Sequence, residues 1–524
     1  MSMNRIVSNA AGVAIILAVF LQTAAAAQDR AAGREEAAQR ERRIIFDNDG
    51  NEPVYYCEEA TPEALLNVRT TPLPDTQVDT IFYCTWSSGF GYFTHHTKVG
   101  DVFTCTEEGF DKNKTAAFLE KGLDPLEVMV EFCREHGIEV FWSMRMNDIH
   151  DGWSAWYSKY LFPPIKRAHP EWLVGTADNK PQNGSWTAID YTVPEVRDYA
   201  YRFFEEVCQN YDVDGVQLDF FRHPVYFKKH AQGQPCGQEE LDMVTNLLAR
   251  IRKMADAEGA ERGKPILISV RVPDSAPLCR AMGFDIERWM ADGLIDLMVV
   301  SGYFRVNPWE TSVALGQKHG VPVYPCISES RIRDKEAKKL RASVECYRGR
   351  AMNAWHSGMS GIYMFNFFNP DSPLWNELGD PKALAKMDKV YVTAARGPGN
   401  LTFWYDGGMK FMNRSIVTPA QPRAIAAGAA ETINLLVGED VAETRPESLS
   451  LECRFKGAPG DVAVALNGNT LTPEKAEGEW LYFTPAIDAF NHGDNEVAVS
   501  RAADAEGEMV MLDLALRVDH AEVE

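Results

Sequence analysis

Eight short β-rich runs, separated by helical patterns, limit the possible folds of this chain more than any other feature. In chain order they are RIIFDN, DTIFYCTW, IEVFWSMR, DGVQLDF, ILISVRV, LMVVSGYF, VPVYPCIS and GIYMFNFF, between Arg43 and Phe368. Strands that alternate with helices are typical of a parallel sheet. Eight such units over about 330 residues predict a (β/α)₈ barrel, which has this number of strands.

Five helical patterns lie between these runs. They are DPLEVMVEFCREHG, VPEVRDYAYRFFEEVCQNY, EELDMVTNLLARIRKMADAEG, DIERWMADG and DKEAKKLRASVECYRGRAMNAWHSG. Several of them end in a glycine, which commonly closes a helix because it adopts the left-handed backbone conformation. We therefore predict that the third pattern ends at Gly259 and that the fifth is a single helix ending at Gly358.

Polar residues recur with a period of two near the ends of four predicted strands. The pairs are Ser143 with Arg145, Gln217 with Asp219, Ser269 with Arg271, and Ser301 with Tyr303. Because successive side chains of a strand point to opposite faces, each pair lies on one face. Helices cover both faces of an open parallel sheet, whereas a barrel can hold polar groups in its lumen. An open doubly wound sheet is the less favoured alternative, also because no glycine-rich phosphate loop follows the first strand.

The pattern changes after Pro398 to short alternating runs such as ETINLLVG, ESLSLECRFKG and DVAVALNGNTL. Turn signals such as Asn467-Gly468 separate them, which indicates antiparallel hairpins. We predict a barrel over residues 43–397 and an all-β sandwich over residues 398–524. The sandwich is either a carbohydrate-binding module or a structural cap, and one aromatic cluster, Trp480 with Tyr482, does not decide between them.

The first 27 residues have the layout of a secretory signal peptide, with a basic start, an apolar stretch from Ala10 to Leu21 and a small-residue cleavage site near Ala27. The apolar stretch is shorter than the roughly 20 residues of a membrane span, so an uncleaved anchor is less favoured. Residues 28–42 are charged and rich in alanine, and we interpret them as a flexible lead-in. The prediction is a secreted or periplasmic protein with no stable membrane span after cleavage.

Charge and cysteine usage exclude two further classes. The formal charge of −22, from 53 basic and 75 acidic residues, repels polyanions and predicts no nucleic-acid partner. The ten cysteines include no CxxC pair, so a zinc site built on thiolates is not expected. Cys133 and Cys208 lie on helical faces and are interpreted as small core residues.

Carboxylates, arginines, amides and aromatics follow the predicted strands, where barrel enzymes carry their active sites. Polar groups of these types bind sugar hydroxyls, and aromatic faces stack on the apolar sides of sugar rings. Glycoside hydrolysis also needs two carboxyl groups, and we predict Asp219 and Glu329 as the catalytic pair. The alternative is that either acid only holds an arginine in place. The predicted substrate-binding residues are Trp86, Arg145, Asn147, Asp148, Arg222, His223, Arg271, Asp274, Tyr303 and Asn366.

A metal site is the competing interpretation of this region. RMNDIHD supplies Asp148, His150 and Asp151, and His95, His96 and His223 could lie near them. However, no H-E-x-x-H motif is present, and FDNDGNE has its glycine in the wrong place for an EF-hand loop. No G-x-S-x-G elbow follows a strand, so serine chemistry is not expected. We predict no metal and no cofactor.

The stretch YDVDGVQLDFFRHP (Tyr211 to Pro224) resembles the strand-four motif of the glycosyl hydrolase-like family 10. HPEWLV, IDYTVPEVRDY and GIYMFNFF are also similar to that family, and the resemblance covers roughly Arg43 to Leu384. It implies a (β/α)₈ hydrolase of bacterial envelopes that acts on glycans, with Asp219 as the motif acid. Members that act on peptidoglycan tend to have a His and a second Asp where this chain has Gln217 and Phe220, which argues against that substrate.

Together these features predict an exported glycoside hydrolase that cleaves O-glycosidic bonds of a poly- or oligosaccharide with two carboxyl groups. The alternative from another class is a barrel protein of the cell envelope that binds glycan without cleaving it. The sequence identifies neither the sugar and its linkage nor the oligomeric state.

Overall fold

The computed structural model of the protein describes residues 33–49, 51–86, 88–302, 304–396, 408–457 and 461–521. The predicted signal peptide and the start of the lead-in lie outside these ranges, and residues 33–38 of the lead-in form a helix. None of the described helices combines the length and hydropathy that a membrane span needs.

Eight parallel strands close into a barrel, as predicted. They are β1 (Ile44–Asp49), β2 (Val78–Cys84), β3 (Glu139–Arg145), β4 (Gly215–Asp219), β5 (Leu267–Val272), β6 (Leu297–Val300), β7 (Val323–Ser328) and β8 (Ile362–Phe365). Each strand pairs with its neighbours in the chain, and β1 pairs with β8 to close the barrel. The carboxyl ends of all eight strands therefore lie on one face of the barrel.

Two strands are shorter than the sequence predicts. The β-rich runs LMVVSGYF and GIYMFNFF continue beyond the last residues of β6 and β8, at Val300 and Phe365. The next residues, Ser301 and Asn366, have positive φ angles of 69° and 53°. A left-handed residue turns the chain out of the strand direction, so both strands end before the apolar runs do.

The helices surround the barrel and connect its strands. Their bounds are Asn51–Tyr56, Pro62–Asn67, Thr115–Glu120, Pro125–His136, Ala155–Leu161, Pro164–Ala168, Pro194–Asn210, Lys228–Ala231, Gln238–Arg262, Ala276–Met282, Ile286–Ala291, Trp309–His319, Lys335–Arg341, Val344–His356, Pro381–Leu384 and Val441–Thr444. Cys133 and Cys208 are buried on two of them, in agreement with the prediction. All ten cysteines have free thiols.

Two predictions about these helices are wrong. The pattern from Asp334 to Gly358 forms two helices, because the Ser343 side chain accepts a hydrogen bond from the backbone N–H of Cys346 and starts a second helix. The helix predicted to end at Gly259 continues to Arg262. Gly259 is needed there for close packing, since a Cβ atom at this position would lie 2.9 Å from the carbonyl oxygen of Lys264.

Polar side chains fill the barrel lumen, as three of the four predicted pairs require. The register aligns Ser143 with Gln217, and Gln217 with Ser269. The Ser143 hydroxyl and the Tyr363 phenol both donate to Oε1 of Gln217, at 2.7 and 3.1 Å. Arg271 and Asp219, which are also aligned, form a buried ion pair one layer nearer the carboxyl end. The fourth pair is not confirmed, because Ser301 lies beyond the end of β6 and Tyr303 lies outside the described residues.

The C-terminal part consists of two antiparallel sheets. Their strands are β9 (Lys389–Val392), β10 (Arg423–Ala424), β11 (Ala430–Val437), β12 (Ser448–Lys456), β13 (Val462–Leu466), β14 (Asn469–Leu471), β15 (Lys475–Glu477), β16 (Trp480–Phe483), β17 (Gly493–Arg501) and β18 (Val510–Asp519). Asn467 and Gly468 form the predicted turn, with φ angles of 49° and 82°. The first strand, β9, pairs with β18 and precedes residue 398, so one of the two sheets takes in residues before the predicted boundary.

Buried polar contacts join the sandwich to the barrel. Arg341 on a barrel helix forms a bidentate ion pair with Asp513, and both side chains are fully buried. Trp480 is 9% exposed and donates its indole N–H to Glu336 on the same helix, at 2.8 Å. The aromatic residue considered for sugar binding therefore lies against the barrel, which favours the role of a structural cap for this part of the sandwich.

Candidate active site

A cleft of ≈ 480 Å³ opens at the carboxyl face of the barrel. Its size lies in the range of ligand sites in proteins, roughly 300–1,000 Å³. Its lining includes three carboxylates (Asp49, Glu52 and Glu329), three guanidinium groups (Arg145, Arg222 and Arg331), His150, Asn366 and seven aromatic side chains. Five of the predicted site residues line it, namely Trp86, Arg145, Arg222, Glu329 and Asn366.

Aromatic residues from the segment after β3 form one wall of the cleft. Trp153, Trp156 and Tyr157 lie on or beside the short helix Ala155–Leu161. Trp156 stacks on Phe110 with a centroid distance of 5.3 Å, while Trp153 is 45% exposed. An indole exposed to this extent in a cleft is available to stack on a ligand.

Asp49 is the carboxylate at the end of β1, and it contacts Arg145 at the end of β3 in a close ion pair. Burial opposes ionisation of Asp49, but the charges of Arg145, Arg222 and Arg69 outweigh it and lower the pKa of this carboxyl. Asp49 is therefore ionised at neutral pH. It is 8% exposed and lines the cleft, where it can contact a ligand.

Glu329 directly follows β7, and its side chain is 45% exposed at the cleft. Its carboxylate accepts a hydrogen bond from Nε of Arg331 at 2.7 Å. In the barrel order, β7 and β1 are separated only by β8. Glu329 and Asp49 thus come from strands two positions apart in the barrel, and both line the same cleft.

Asp219, at the end of β4, does not line the cleft. Its carboxylate accepts hydrogen bonds from Arg271 at 2.9 and 2.6 Å, and from the backbone N–H groups of Phe221 and Arg222. The side chain is only 4% exposed. These contacts favour the alternative considered above, in which Asp219 holds Arg271 and the loop after β4, and a catalytic role for Asp219 stays a prediction.

Asp47 lies near Arg271 in the lumen, with 3.6 Å between Oδ2 and Nη1. Burial, together with the charges of Asp49 and Asp219, raises the pKa of Asp47 to about 7, although Arg271 opposes this shift. The pKa of Asp47 is thus higher in the folded than in the unfolded chain, so the protonated carboxyl group adds to the free energy of unfolding. This contribution is fully present below about pH 4 and is lost as the pH rises through 7.

We therefore expect Asp47→Asn to gain stability relative to the native chain when the pH is raised from 5 to 8, by about 2 kcal/mol. The asparagine imitates the protonated form and cannot ionise. Thermal unfolding of both proteins at the two pH values measures this difference. A melting-temperature difference that does not change with pH would show that Asp47 titrates normally.

Asp148, His150 and His223 are brought together, and ligand atoms of all three lie within 4.8 Å of one another. Such a set could hold a metal ion. However, Arg145 contacts Asp148 at 3.1 Å, and Arg222 lies 3.4 Å from His150. Two guanidinium groups against the same side chains oppose the binding of a divalent cation, because like charges repel at these distances.

The other residues of the metal interpretation lie elsewhere in the structure. Asp151 forms a fully buried ion pair with Lys166. Nδ1 of His95 forms a hydrogen bond with the hydroxyl group of Thr85, at 2.7 Å. Burial lowers the pKa of His95 to about 4, so this imidazole is neutral. The expectation of no metal stays a prediction.

Three further predicted substrate-binding residues have structural contacts. Asn147 donates to the carbonyl oxygens of Ile189 and Val225 and accepts from the N–H of Ile189, so its amide connects two loops. Asp274 accepts from the N–H groups of Val306 and Asn307 and holds the segment after β6. His223 is 2% exposed, and it accepts a hydrogen bond from the N–H of Ile149. Tyr303 lies outside the described residues.

The cleft also contains residues that the sequence analysis did not select. Asp49 is not among the predicted site residues, which include the motif acid Asp219, and neither are Trp153, Trp156 and Tyr157. A signal for the aromatic residues was present, since GWSAWYSKY begins seven residues after the end of the third strand and concentrates four aromatic side chains at a barrel loop.

Comparison with solved structures gives distant similarities. One match is the alpha-L-fucosidase isoenzyme 2 from Paenibacillus thiaminolyticus, with 13% identity, a TM-score of 0.41 and coverage of 66% of this chain and 49% of that chain. This chain thus spans about half the length of that match. Another is the glycoside hydrolase domain of PgaB (BpsB) from Bordetella bronchiseptica, with 11% identity, a TM-score of 0.38 and coverage of 62% and 93%.

A third match is the GH36 alpha-galactosidase AgaA from Geobacillus stearothermophilus, with 10% identity, a TM-score of 0.38 and coverage of 92% of this chain and 56% of that chain. No curated protein sequence matches this chain. The resemblance inferred from the motif around Asp219 is confirmed, because residues 64–240, which contain β2, β3, β4 and the aromatic wall, match the family Glycosyl hydrolase-like 10.

Proposed function

We propose that this protein is an exported enzyme that hydrolyses O-glycosidic bonds of an oligo- or polysaccharide in the cleft at the carboxyl face of its barrel. The observation that carries the proposal is the lining of that cleft, where Asp49 and Glu329 lie among seven aromatic side chains and three arginines. Carboxylates supply the acid and base chemistry of glycoside hydrolysis, and aromatic faces hold sugar rings. The match of residues 64–240 to a glycosyl hydrolase-like family supports the same reaction class.

We assign different roles to the two carboxyl groups. Asp49, whose pKa is lowered by three arginines, is the ionised group that attacks the sugar or activates water. Glu329 is the proton donor to the leaving oxygen, since it is the more exposed acid and follows a different strand. Asp219 acts indirectly, because it fixes Arg271 and the loop that carries Arg222. This replaces the pair Asp219 and Glu329 with the pair Asp49 and Glu329.

A hydrolysis screen tests the proposal. The purified mature protein is incubated with neutral and acidic polysaccharides and their oligosaccharides, and new reducing ends are measured by chromatography. Release of products by the native protein, and its loss in Glu329→Gln, supports the proposal. Binding of a glycan without any cleavage would favour the alternative of a glycan-binding barrel.

Trp153 provides a separate prediction about sugar binding. Replacing it with alanine is expected to raise KM by about tenfold with little change in kcat, because stacking of an indole on a sugar ring contributes roughly 1.4 kcal/mol to binding. The matched control is Tyr56→Ala, since Tyr56 is 63% exposed and does not line the cleft. An unchanged KM in Trp153→Ala would remove this residue from the sugar site.

A further inference from the structure

A second cavity, of ≈ 60 Å³, lies between the barrel and the sandwich. Four of its lining residues are arginines, namely Arg305, Arg350, Arg396 and Arg414. Arg305 belongs to the segment after β6, and Arg350 to the helix Val344–His356. Arg396 and Arg414 come from the part of the chain that follows β9. The cavity therefore needs both parts of the protein, and it is distinct from the cleft.

Three of these arginines have no carboxylate within ion-pair distance among the described residues. Arg350 donates to the carbonyl oxygen of Ser328 at 2.8 Å, and Arg414 donates to that of Thr393 at 2.9 Å. The guanidinium of Arg305 lies over the ring of Trp309, 4.5 Å from its centroid. Nη1 of Arg414 is inaccessible to solvent and has no hydrogen-bond partner. A buried donor without an acceptor is costly, so this one indicates space for a ligand.

The four arginines of the cavity are partly buried, whereas three other arginines among the described residues are fully buried and differ in their contacts. Arg42, Arg271 and Arg341 each form two hydrogen bonds with one carboxylate. Arg501, which is 6% exposed, is hydrogen-bonded instead to three backbone carbonyl oxygens. At the junction, three guanidinium groups (Arg305, Arg350 and Arg414) line a cavity, and none of the described carboxylates lies within ion-pair distance of them.

Two of the carboxylates that act electrostatically on Arg305 and Arg414 are engaged with other groups. Asp274 accepts hydrogen bonds from two backbone N–H groups, and Glu310 accepts one from Ser357 at 2.6 Å. Burial and the charge of Arg414 lower the pKa of Arg305 well below its ordinary value. Burial also lowers the pKa of Arg414, to about 10. These shifts are the expected result of burial, which disfavours a charged guanidinium group, and for Arg305 also of a neighbouring positive charge.

We propose that this junction cavity binds one oxyanion group, a carboxylate, sulfate or phosphate, through Arg305, Arg350 and Arg414. Guanidinium groups match such oxygens in geometry and form charge-assisted hydrogen bonds with them. The volume exceeds the 10–15 Å³ that a single water molecule requires, so a small anion can enter. The group is either a free inorganic anion or the charged substituent of an acidic glycan, such as a uronate or a sulfate ester.

Titration calorimetry of the full-length mature protein tests this proposal with sodium sulfate, sodium phosphate, sodium glucuronate and a sulfated oligosaccharide, all at a fixed ionic strength set with NaCl. Saturable binding of at least one probe, with one site per chain, is the expected result. Tighter binding of sulfate or phosphate identifies a free inorganic anion. Tighter binding of glucuronate or the sulfated sugar identifies a glycan substituent. If no probe binds saturably, the proposal is wrong, whatever the hydrolysis screen yields.

Two variants localise the binding. Arg414→Gln and Arg305→Gln are expected to weaken binding at least tenfold, and to raise the melting temperature in NaCl alone because they remove a repelling charge. The matched control is Arg288→Gln, which changes an exposed arginine that is paired with Asp242 and Asp292. It should leave binding unchanged. If Arg414→Gln and Arg305→Gln bind the anion as tightly as Arg288→Gln does, the anion binds elsewhere and the assignment is wrong. If a variant does not fold, the calorimetry of the native chain decides whether the protein binds an anion.

Discussion

Replacing Glu329 with glutamine is expected to lower kcat about 10³-fold on substrates with ordinary sugar leaving groups, while the melting temperature stays unchanged. A general acid contributes roughly 10²–10⁴-fold, and glutamine keeps the shape of the side chain without its proton. Because the Glu329 side chain is 45% exposed and pairs only with Arg331 among the described residues, its removal leaves no buried charge unpaired. Steady-state kinetics on the substrate found in the screen measures the effect.

The role of Glu329 is tested further with activated aryl glycosides, whose leaving groups need little protonation. On these substrates Glu329→Gln should recover most of its activity, whereas Asp49→Asn should remain slow, because Asp49 acts on the sugar or on water. The matched control is Glu477→Gln, which changes an exposed carboxylate, at 64%, that pairs with Lys475 on the sandwich. Full activity of Glu329→Gln on ordinary substrates would exclude Glu329 as the proton donor.

Replacing Asp219 with asparagine is expected to destabilise the protein by about 3–5 kcal/mol, the cost of leaving a buried charge without its partner. Arg271 is fully buried and donates two hydrogen bonds to this carboxylate. An asparagine amide would place its own N–H donors against the guanidinium group. The double variant Asp219→Asn with Arg271→Met should recover part of the lost stability, since it removes the unpaired charge. Thermal unfolding of the three proteins measures these differences.

The control for this change is Asp212→Asn, which alters a carboxylate that is 55% exposed and paired with Arg134. It should cost less than about 1 kcal/mol, as is typical of surface ion pairs. The comparison also decides the function of Asp219. If Asp219→Asn keeps its melting temperature but loses turnover completely, Asp219 is the catalytic carboxylate that the motif predicts, and the assignment to Asp49 is wrong.

The fold was largely predictable because strand patterns are local. Each of the eight runs carries its own apolar and β-branched residues, and all eight are strands of the barrel. The errors occur where contacts with other parts of the chain decide the outcome. Ser301 and Asn366 end their strands with positive φ angles inside apolar runs, and Gly259 continues a helix because of close packing with residues 264–266.

The candidate site was predictable in part. The alternation of polar residues placed Asp219 and Arg271 in the lumen, and residues after the strands include five that line the cleft. What alternation cannot reveal is how far each side chain lies below the rim. Asp219 and Asp49 both end barrel strands, yet Arg271 and backbone N–H groups saturate the first, while the second lines the cleft.

The sequence by itself determined the barrel, the β-sheet C-terminal part and the presence of acids, arginines and aromatic residues at the strand ends, because period and composition are properties of neighbouring residues. Only the tertiary structure decided which acids line the cleft, that Trp480 packs on the barrel, and that three arginines without a described acidic partner surround a cavity at the junction. These features depend on contacts between residues far apart in the chain, such as Trp480 and Glu336, which are 144 positions apart. Such contacts are set by the packing of whole elements, which no local pattern records.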